Sequence, residues 1–188
     1  NNPYLKSVDN AIIYKKSNAE QENYNILVYC FKNVQKLNVP DGVEIICKEA
    51  FCHSQIQQIT LPSSLTKICK YAFCMCKKLT QVEIPENSNL QIIEANAFKG
   101  TSITNIILPS TLTFVGQEAF GRCSNLEKIE FLNGKNQLSI DKEIFELSTI
   151  ESIIFPSNLV ELNYDWHGYT KKLKELSIDL NNPLFMSF

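Results

Sequence analysis

Short apolar pairs separated by one residue recur along the chain: Leu37/Val39, Ile59/Leu61, Val82/Ile84, Ile106/Leu108, Ile129/Phe131, Ile153/Phe155 and Leu176/Ile178. Successive first members lie 22, 23, 24, 23, 24 and 23 residues apart. Alternation over so few residues marks a very short strand with one face buried. Proline follows many of these pairs (Pro40, Pro62, Pro85, Pro109 and Pro156), where a residue without an N–H suits the end of a ladder. Between strands a second signature recurs: Ala50-Phe51, Ala72-Phe73, Ala97-Phe98, Ala119-Phe120, and Ile144-Phe145 as a degraded copy. An apolar residue sits five before each Phe (Ile46, Ile68, Ile93, Val115, Ile140) and another five or six after it (Ile56, Leu79, Ile103, Leu126, Ile150).

A longer period overlies the short one. Ile46, Ile93 and Ile140 are 47 residues apart, as are Phe51, Phe98 and Phe145, and Pro62, Pro109 and Pro156. The unit is a pair of coils, of 22 and 25 residues, whose longer member absorbs its excess in polar loops at 86–89 and 133–137. A coil this small cannot bury its own apolar face, whereas stacked coils share one core. The expectation is an α/β repeat solenoid. One face carries a parallel sheet of seven short strands at roughly 4.8 Å spacing. The Ala-Phe segments are expected as short helical or 3₁₀ turns on the opposite face, with room for only a turn or two. The Phe column should stack into an aromatic spine.

The order apolar-x-x-x-Ala-Phe-x-x-Cys-x-x-Leu-x-x-Ile-x-Leu-Pro-x-x-Leu, clearest in Ile68–Pro85 and Val115–Phe131, resembles the BspA-type leucine-rich repeat. The resemblance covers about residues 37–178. It implies a right-handed leucine-rich-repeat coil stack, in proteins described as surface-associated and adhesive, and so a cell-surface location. It is specific for architecture and weak for function. The chain departs from the pattern where Leu132 replaces proline after Phe131, and where the last coil loses its Ala-Phe.

Residues 1–34 are out of register with the repeats and read as a strand-rich insert or cap. Tyr4–Val8, Asp9-Asn10 and Ala11–Tyr14 have the pattern of a hairpin. Ile26–Phe31 reads as a further strand. Residues 35–180 hold six to seven coils, and 181–188 would begin a second, truncated insert. Asn1-Asn2-Pro3-Tyr4 and Asn181-Asn182-Pro183-Leu184 lie 180 residues apart. That spacing fits a segment of a longer repeat protein whose neighbours are further repeats, or a coincidence over three residues.

Several function classes are disfavoured. A net charge of −2 and a pI near 5.8 give no basic footprint for nucleic acid. No run approaches the ~18 apolar residues of a membrane span. The only histidines, His53 and His167, stand near no Ser or Cys with an orienting partner at a recognisable spacing. The 6 glycines form no phosphate loop. The chain is therefore read as a non-enzyme, with no cofactor. Three readings of the 7 cysteines are open. Cys47/Cys69 and Cys52/Cys74 share columns on adjacent coils and could pair. Cys52, His53, Cys74 and Cys76 could converge on zinc. The third reading makes them small buried apolar residues, Cys76 and Cys123 above all. An odd cysteine count and no Asn-x-Ser/Thr sequon hint at the cytoplasm, against the surface location.

Two candidate contact regions follow. On the strands, residues beside the buried pair point outward, giving a stripe of Lys36, Asn38, Gln58, Thr60, Gln81, Glu83, Asn105, Ile107, Lys128, Glu130, Ser152, Ile154, Glu175 and Ser177. A polar ladder suits a broad protein or glycan contact, although any solvated sheet face looks alike. In the last coil Trp166 falls in the Ala column, so Tyr164, Trp166 and Tyr169 either cap the core or form an aromatic patch. The reading is an interaction module of an adhesive surface protein. Its alternative is an intracellular scaffold, for instance in a cytoskeletal assembly.

Overall fold

The computed structural model describes residues 4–8, 12–18, 24–31, 33–162, 166, 170 and 172–178. Three strands lead: β1 Leu5–Val8, β2 Ile12–Lys15 and β3 Ile26–Cys30. Each coil then contributes one strand to each of two faces. The pairs are β4 Lys36–Asn38 with β5 Ile45–Ile46, β6 Gln58–Thr60 with β7 Lys67–Ile68, and β8 Gln81–Glu83 with β9 Ile92–Ile93. They continue as β10 Asn105–Leu108 with β11 Phe114–Val115, β12 Lys128–Phe131 with β13 Leu138–Ile140, and β14 Ser152–Phe155 with β15 Leu159–Leu162. β16, Glu175–Ile178, ends the described chain.

The strands anticipated from the apolar pairs are all present and parallel, with Leu37, Ile59 and Val82, then Ile106, Ile129, Ile153 and Leu176, in register. They form two sheets rather than one: β4-β6-β8 and β10-β12-β14-β16, the ladder being interrupted between β8 and β10. The second face was not anticipated as sheet. There β5, β7, β9, β11, β13 and β15 pair in parallel, and β3 joins them, carrying the antiparallel strands β2 and β1 at the outer edge. β1 and β2 pair antiparallel, Leu5 opposite Lys15 and Val8 opposite Ile12, and the Asp9-Asn10 turn of the expected hairpin lies outside the described residues.

The Ala-Phe segments correct the sequence expectation. Among the described residues they contain no helical or 3₁₀ turn. The residue before each Ala, or Ile144, has positive φ (Glu49, Tyr71, Asn96, Glu118, Glu143), and so does the second residue after each Phe (His53, Met75, Gly100, Arg122, Leu147). The reason is where the backbone hydrogen bonds go. In a helix every interior N–H is consumed within its own segment. Here the alternating twist spends only every second one locally: Ala50, Cys52 and Ser54 donate to the carbonyls three residues back. The N–H groups of Glu49, Phe51 and His53 instead donate to the carbonyls of Lys70, Ala72 and Cys74 on the next coil. The same rungs recur from Tyr71, Phe73 and Met75 to Ala95, Ala97 and Lys99. A left-handed L-residue costs about 1–2 kcal/mol, and each rung returns a net ~0.5–1.5 kcal/mol while fixing the coil spacing.

Arg122, exposed at φ 56°, isolates this effect. Arg122→Val, β-branched at positive φ, should lower stability by about 1–2 kcal/mol. Arg122→Gly should stay near the parent, its relief of strain offset by a freer unfolded chain. Urea denaturation of both variants checks this, and equal losses would leave the left-handed turn without energetic weight.

The core is one continuous column. Phe51, Phe73, Phe98 and Phe120 are fully buried and stack at 4.8, 5.0 and 5.3 Å between centroids, with interplanar angles of 16°, 3° and 7°. Phe145 tilts away from Phe120 at 6.4 Å and 34°. Ala50, Ala72, Ala97 and Ala119, all 0 % exposed, let the coils approach. The polar loop at 133–137 is tied down as well: Gly134 donates to Asn158 Oδ1 at 2.9 Å, and a Cβ there would lie 2.0 Å from the Ser110 carbonyl oxygen.

Candidate functional site

The strand face presents the outward residues expected from its period. Gln81, Glu83, Asn105, Ile107 and Lys128 are exposed, while Gln58, Thr60, Glu130, Ser152 and Ile154 are partly so. Their side chains are tied to one another, both within a strand and between coils. Thr60 Oγ1 donates to Glu83 Oε2 at 2.9 Å, and Gln81 Nε2 to Glu83 Oε1 at 2.7 Å. Lys128 Nζ pairs with Glu130 at 3.3 Å, and Ser152 Oγ donates to Glu175 at 2.8 Å. Exposed ion pairs of this kind contribute little stability. Their consequence is a pre-ordered polar surface. Ile107, 57 % exposed, interrupts it, flanked by Glu130 and then Ile154 in register.

Beside the starts of β10, β12 and β14 lies a polar depression of about 280 Å³, which the period did not reveal. It is lined by Thr104, Ser124, Asn125, Glu127, Thr149, Glu151 and Lys172. The Lys174 ammonium, hydrogen-bonded to Glu151 at 2.8 Å, holds that carboxyl below its ordinary range. These residues come from loops that the strand alternation passes over, so only aligning the coils would have found them.

In the last coil, Trp166 is half-buried and packs on the core. Its ring meets Phe145 edge-on at 6.5 Å and Phe155 at 5.5 Å. It therefore continues the aromatic column from the Ala position. Tyr164 and Tyr169, the other members of the expected patch, lie outside the described residues.

All 7 cysteines are free thiols, and burial is the main cause raising each above its ordinary range, to about 11 for Cys76 and Cys123. Among the described residues no three His, Cys, Asp or Glu side chains converge as metal ligands. Cys76 and Cys123 are buried, as small apolar residues would be, but they also carry hydrogen bonds. Cys76 Sγ donates to the Phe51 carbonyl at 2.9 Å and Cys123 Sγ to the Phe98 carbonyl at 3.3 Å. They alternate down the stack with Ser54, Thr101 and Ser148, which touch them from neighbouring coils. The column Ser54, Cys76, Thr101, Cys123, Ser148 sits three residues after each Phe. Its 47-residue hydroxyl spacing was the available signal.

Two carboxylates give the stack a pH dependence. Burial alone would raise Glu94, but hydrogen bonds from Lys67 and from the Lys70 N–H, with both lysine charges, outweigh it and hold the carboxyl low. Glu118 is held low against its burial in the same way, mainly by Lys99. A depressed carboxyl stabilises the fold above the unfolded value near 4.3, and that contribution is lost as pH falls through the folded value. Glu146, hydrogen-bonded to Glu118, is raised and runs opposite. Urea midpoints should be level from pH 6 to 8 and drop below roughly pH 4. Glu94→Gln should flatten that drop, and an unchanged slope would show that the pair carries no linkage.

The fold and this open, cross-linked surface define a leucine-rich-repeat solenoid. The model of the BspA-type leucine-rich repeat region matches residues 10–127 and 91–184, with six copies. The chain belongs to this family. Among solved structures it resembles the pneumococcal vaccine antigen PcpA, at 23 % identity and a TM-score of 0.78, covering 96 % of this chain and 51 % of that one. The leucine-rich repeat protein TpLRR of T. pallidum gives 21 % identity and a TM-score of 0.72, covering 92 % and 81 %. A leucine-rich repeat protein from Bacteroides capillosus gives 20 % and 0.56, covering 68 % and 98 %. The chain thus spans about half the length of the pneumococcal antigen. No curated protein matches it. The repeat fold marks a protein-interaction module, and among the described residues no helix is long and apolar enough to cross a membrane.

Proposed function

We propose that the chain is a non-enzymatic interaction module of a larger adhesive surface protein, and that its strand face makes the contact. The observation that carries this reading is the pre-ordered row Gln58, Thr60, Gln81, Glu83, Asn105, Ile107, Lys128, Glu130, Ser152 and Ile154, rigid on two parallel sheets. Such a surface loses little side-chain freedom when a partner docks, which lowers one of the costs of a polar interface. Likeness to a protein described as a vaccine antigen supports the surface location. Trp166 fits this reading as a cap, its ring completing the core against Phe145 and Phe155.

The test is binding of the purified module to host extracellular-matrix proteins, or to their glycans, by surface plasmon resonance. Ile107→Arg should abolish binding while leaving the melting temperature unchanged, because Ile107 is solvent-exposed. A folded module that binds none of these ligands would overturn the adhesive reading. The 7 free thiols favour a second reading, an intracellular scaffold. Labelling of intact cells with a membrane-impermeant biotin reagent separates the two, since only a surface protein is labelled.

A further inference from the structure

The inter-coil ladder of the turn face ends at its first coil on a mixed aromatic and polar depression. At the next three junctions the carbonyls three and one residues before Phe, and one after it, each accept an N–H from the coil before. Lys70, Ala72 and Cys74 do so in the second coil. In the first coil the equivalent carbonyls belong to Lys48, Ala50 and Cys52. Cys30 N–H takes the middle one at 2.7 Å. Among the described residues no N–H reaches the carbonyl of Lys48 or of Cys52.

These two residues line an open depression of about 400 Å³ together with Tyr29, Glu49 and His53. Tyr29 is 41 % exposed, and Phe31 braces its ring in a T-shaped pair at 5.2 Å and 87°. Lys48 and Glu49 form a loose pair at 3.4 Å with both side chains largely in water, so either is available to a ligand. His53 is exposed as well, and its backbone is fixed by the left-handed turn.

We propose that this depression is a sugar site, independent of the strand face, that takes one pyranose ring. An exposed aromatic ring held by a perpendicular neighbour offers apolar surface to the C–H side of a pyranose. The carbonyls of Lys48 and Cys52 accept hydroxyl donors, and Lys48, Glu49 and His53 fix the rim. A peptide strand fits worse. Running along the ladder it would need the middle rung, which Cys30 already occupies. Separate hydroxyl groups reach the flanking carbonyls without it.

The experiment is saturation-transfer-difference NMR on the whole chain with methyl glycosides of glucose, galactose, mannose and N-acetylglucosamine at millimolar concentration. Transfer to the ring protons of at least one glycoside is expected. Tyr29→Ala should reduce it at least 5-fold and Tyr29→Phe should retain it, with melting curves matching the parent. Lys48→Ala, at a fully folded and exposed position, should weaken it also. No transfer from any glycoside, or transfer undiminished in folded Tyr29→Ala and Lys48→Ala, overturns the proposal. Chemical-shift changes around Tyr29 with short peptides alone would assign the depression to a protein partner and overturn it equally.

Discussion

Phe98→Ala should cost the fold about 3–5 kcal/mol, the range for deleting a fully buried Phe. Phe98 is 0 % exposed and lies between Phe73 and Phe120 at 5.0 and 5.3 Å. Its loss opens a void at mid-column, where Ala97 and the flanking coils are held by backbone rungs and cannot collapse inward. Two stacked contacts vanish with it, each contributing about 0.5–1.5 kcal/mol beyond area. Because a solenoid is stabilised by nearest-neighbour interfaces, the damage is also topological. The two halves should uncouple, so that urea unfolding followed by circular dichroism becomes broader or biphasic as well as shifted. A single sharp transition displaced by less than 1 kcal/mol would show that the column fills space without joining the coils.

Ser148→Ala should be nearly as damaging although it removes a single oxygen. Ser148 Oγ donates to the Phe120 carbonyl at 2.6 Å and accepts the Cys123 N–H at 3.1 Å, all in the buried interior. Alanine leaves both backbone groups unpaired, at about 1–3 kcal/mol each. The column itself supplies the control, since Cys76 and Cys123 hold equivalent places with a thiol. Ser148→Cys should therefore recover most of the loss, whereas Ser148→Val, similar in bulk but without a donor, should not. Equal stability of the Ala and Cys variants would show that packing, not hydrogen bonding, governs the position.

The columns of Ile59, Val82 and Ile106 were legible because a strand repeats every second residue and a coil every 22–24. The Phe spine was legible for the same reason. The turns were not. Ala and Phe carry no mark against a helix, and the left-handed positions hold Glu49, Tyr71, Met75, Glu118 and Arg122 beside the more telling Asn96 and Gly100. What decides their conformation is the carbonyl of a residue some twenty positions away, which no local pattern encodes. The strands Ile45–Ile46 and Lys67–Ile68 escaped as sheet because two residues cannot display alternation. Of the candidate surfaces, the stripe followed from the strand period. Tyr29 did not, because it stands on β3, outside the register of the repeats.

The rungs of the turn face have one further consequence. Cys30, Glu49, Phe51 and His53, then Tyr71, Phe73 and Met75, then Asn96, Phe98 and Gly100 all point their N–H groups the same way, from each coil toward the next. Peptide dipoles so aligned add, as they do along a helix, but here the sum runs along the stack and across the chain. The face therefore carries partial negative charge at its first coil and partial positive charge toward its last. Lys48 stands at the negative pole, where its ammonium is favoured.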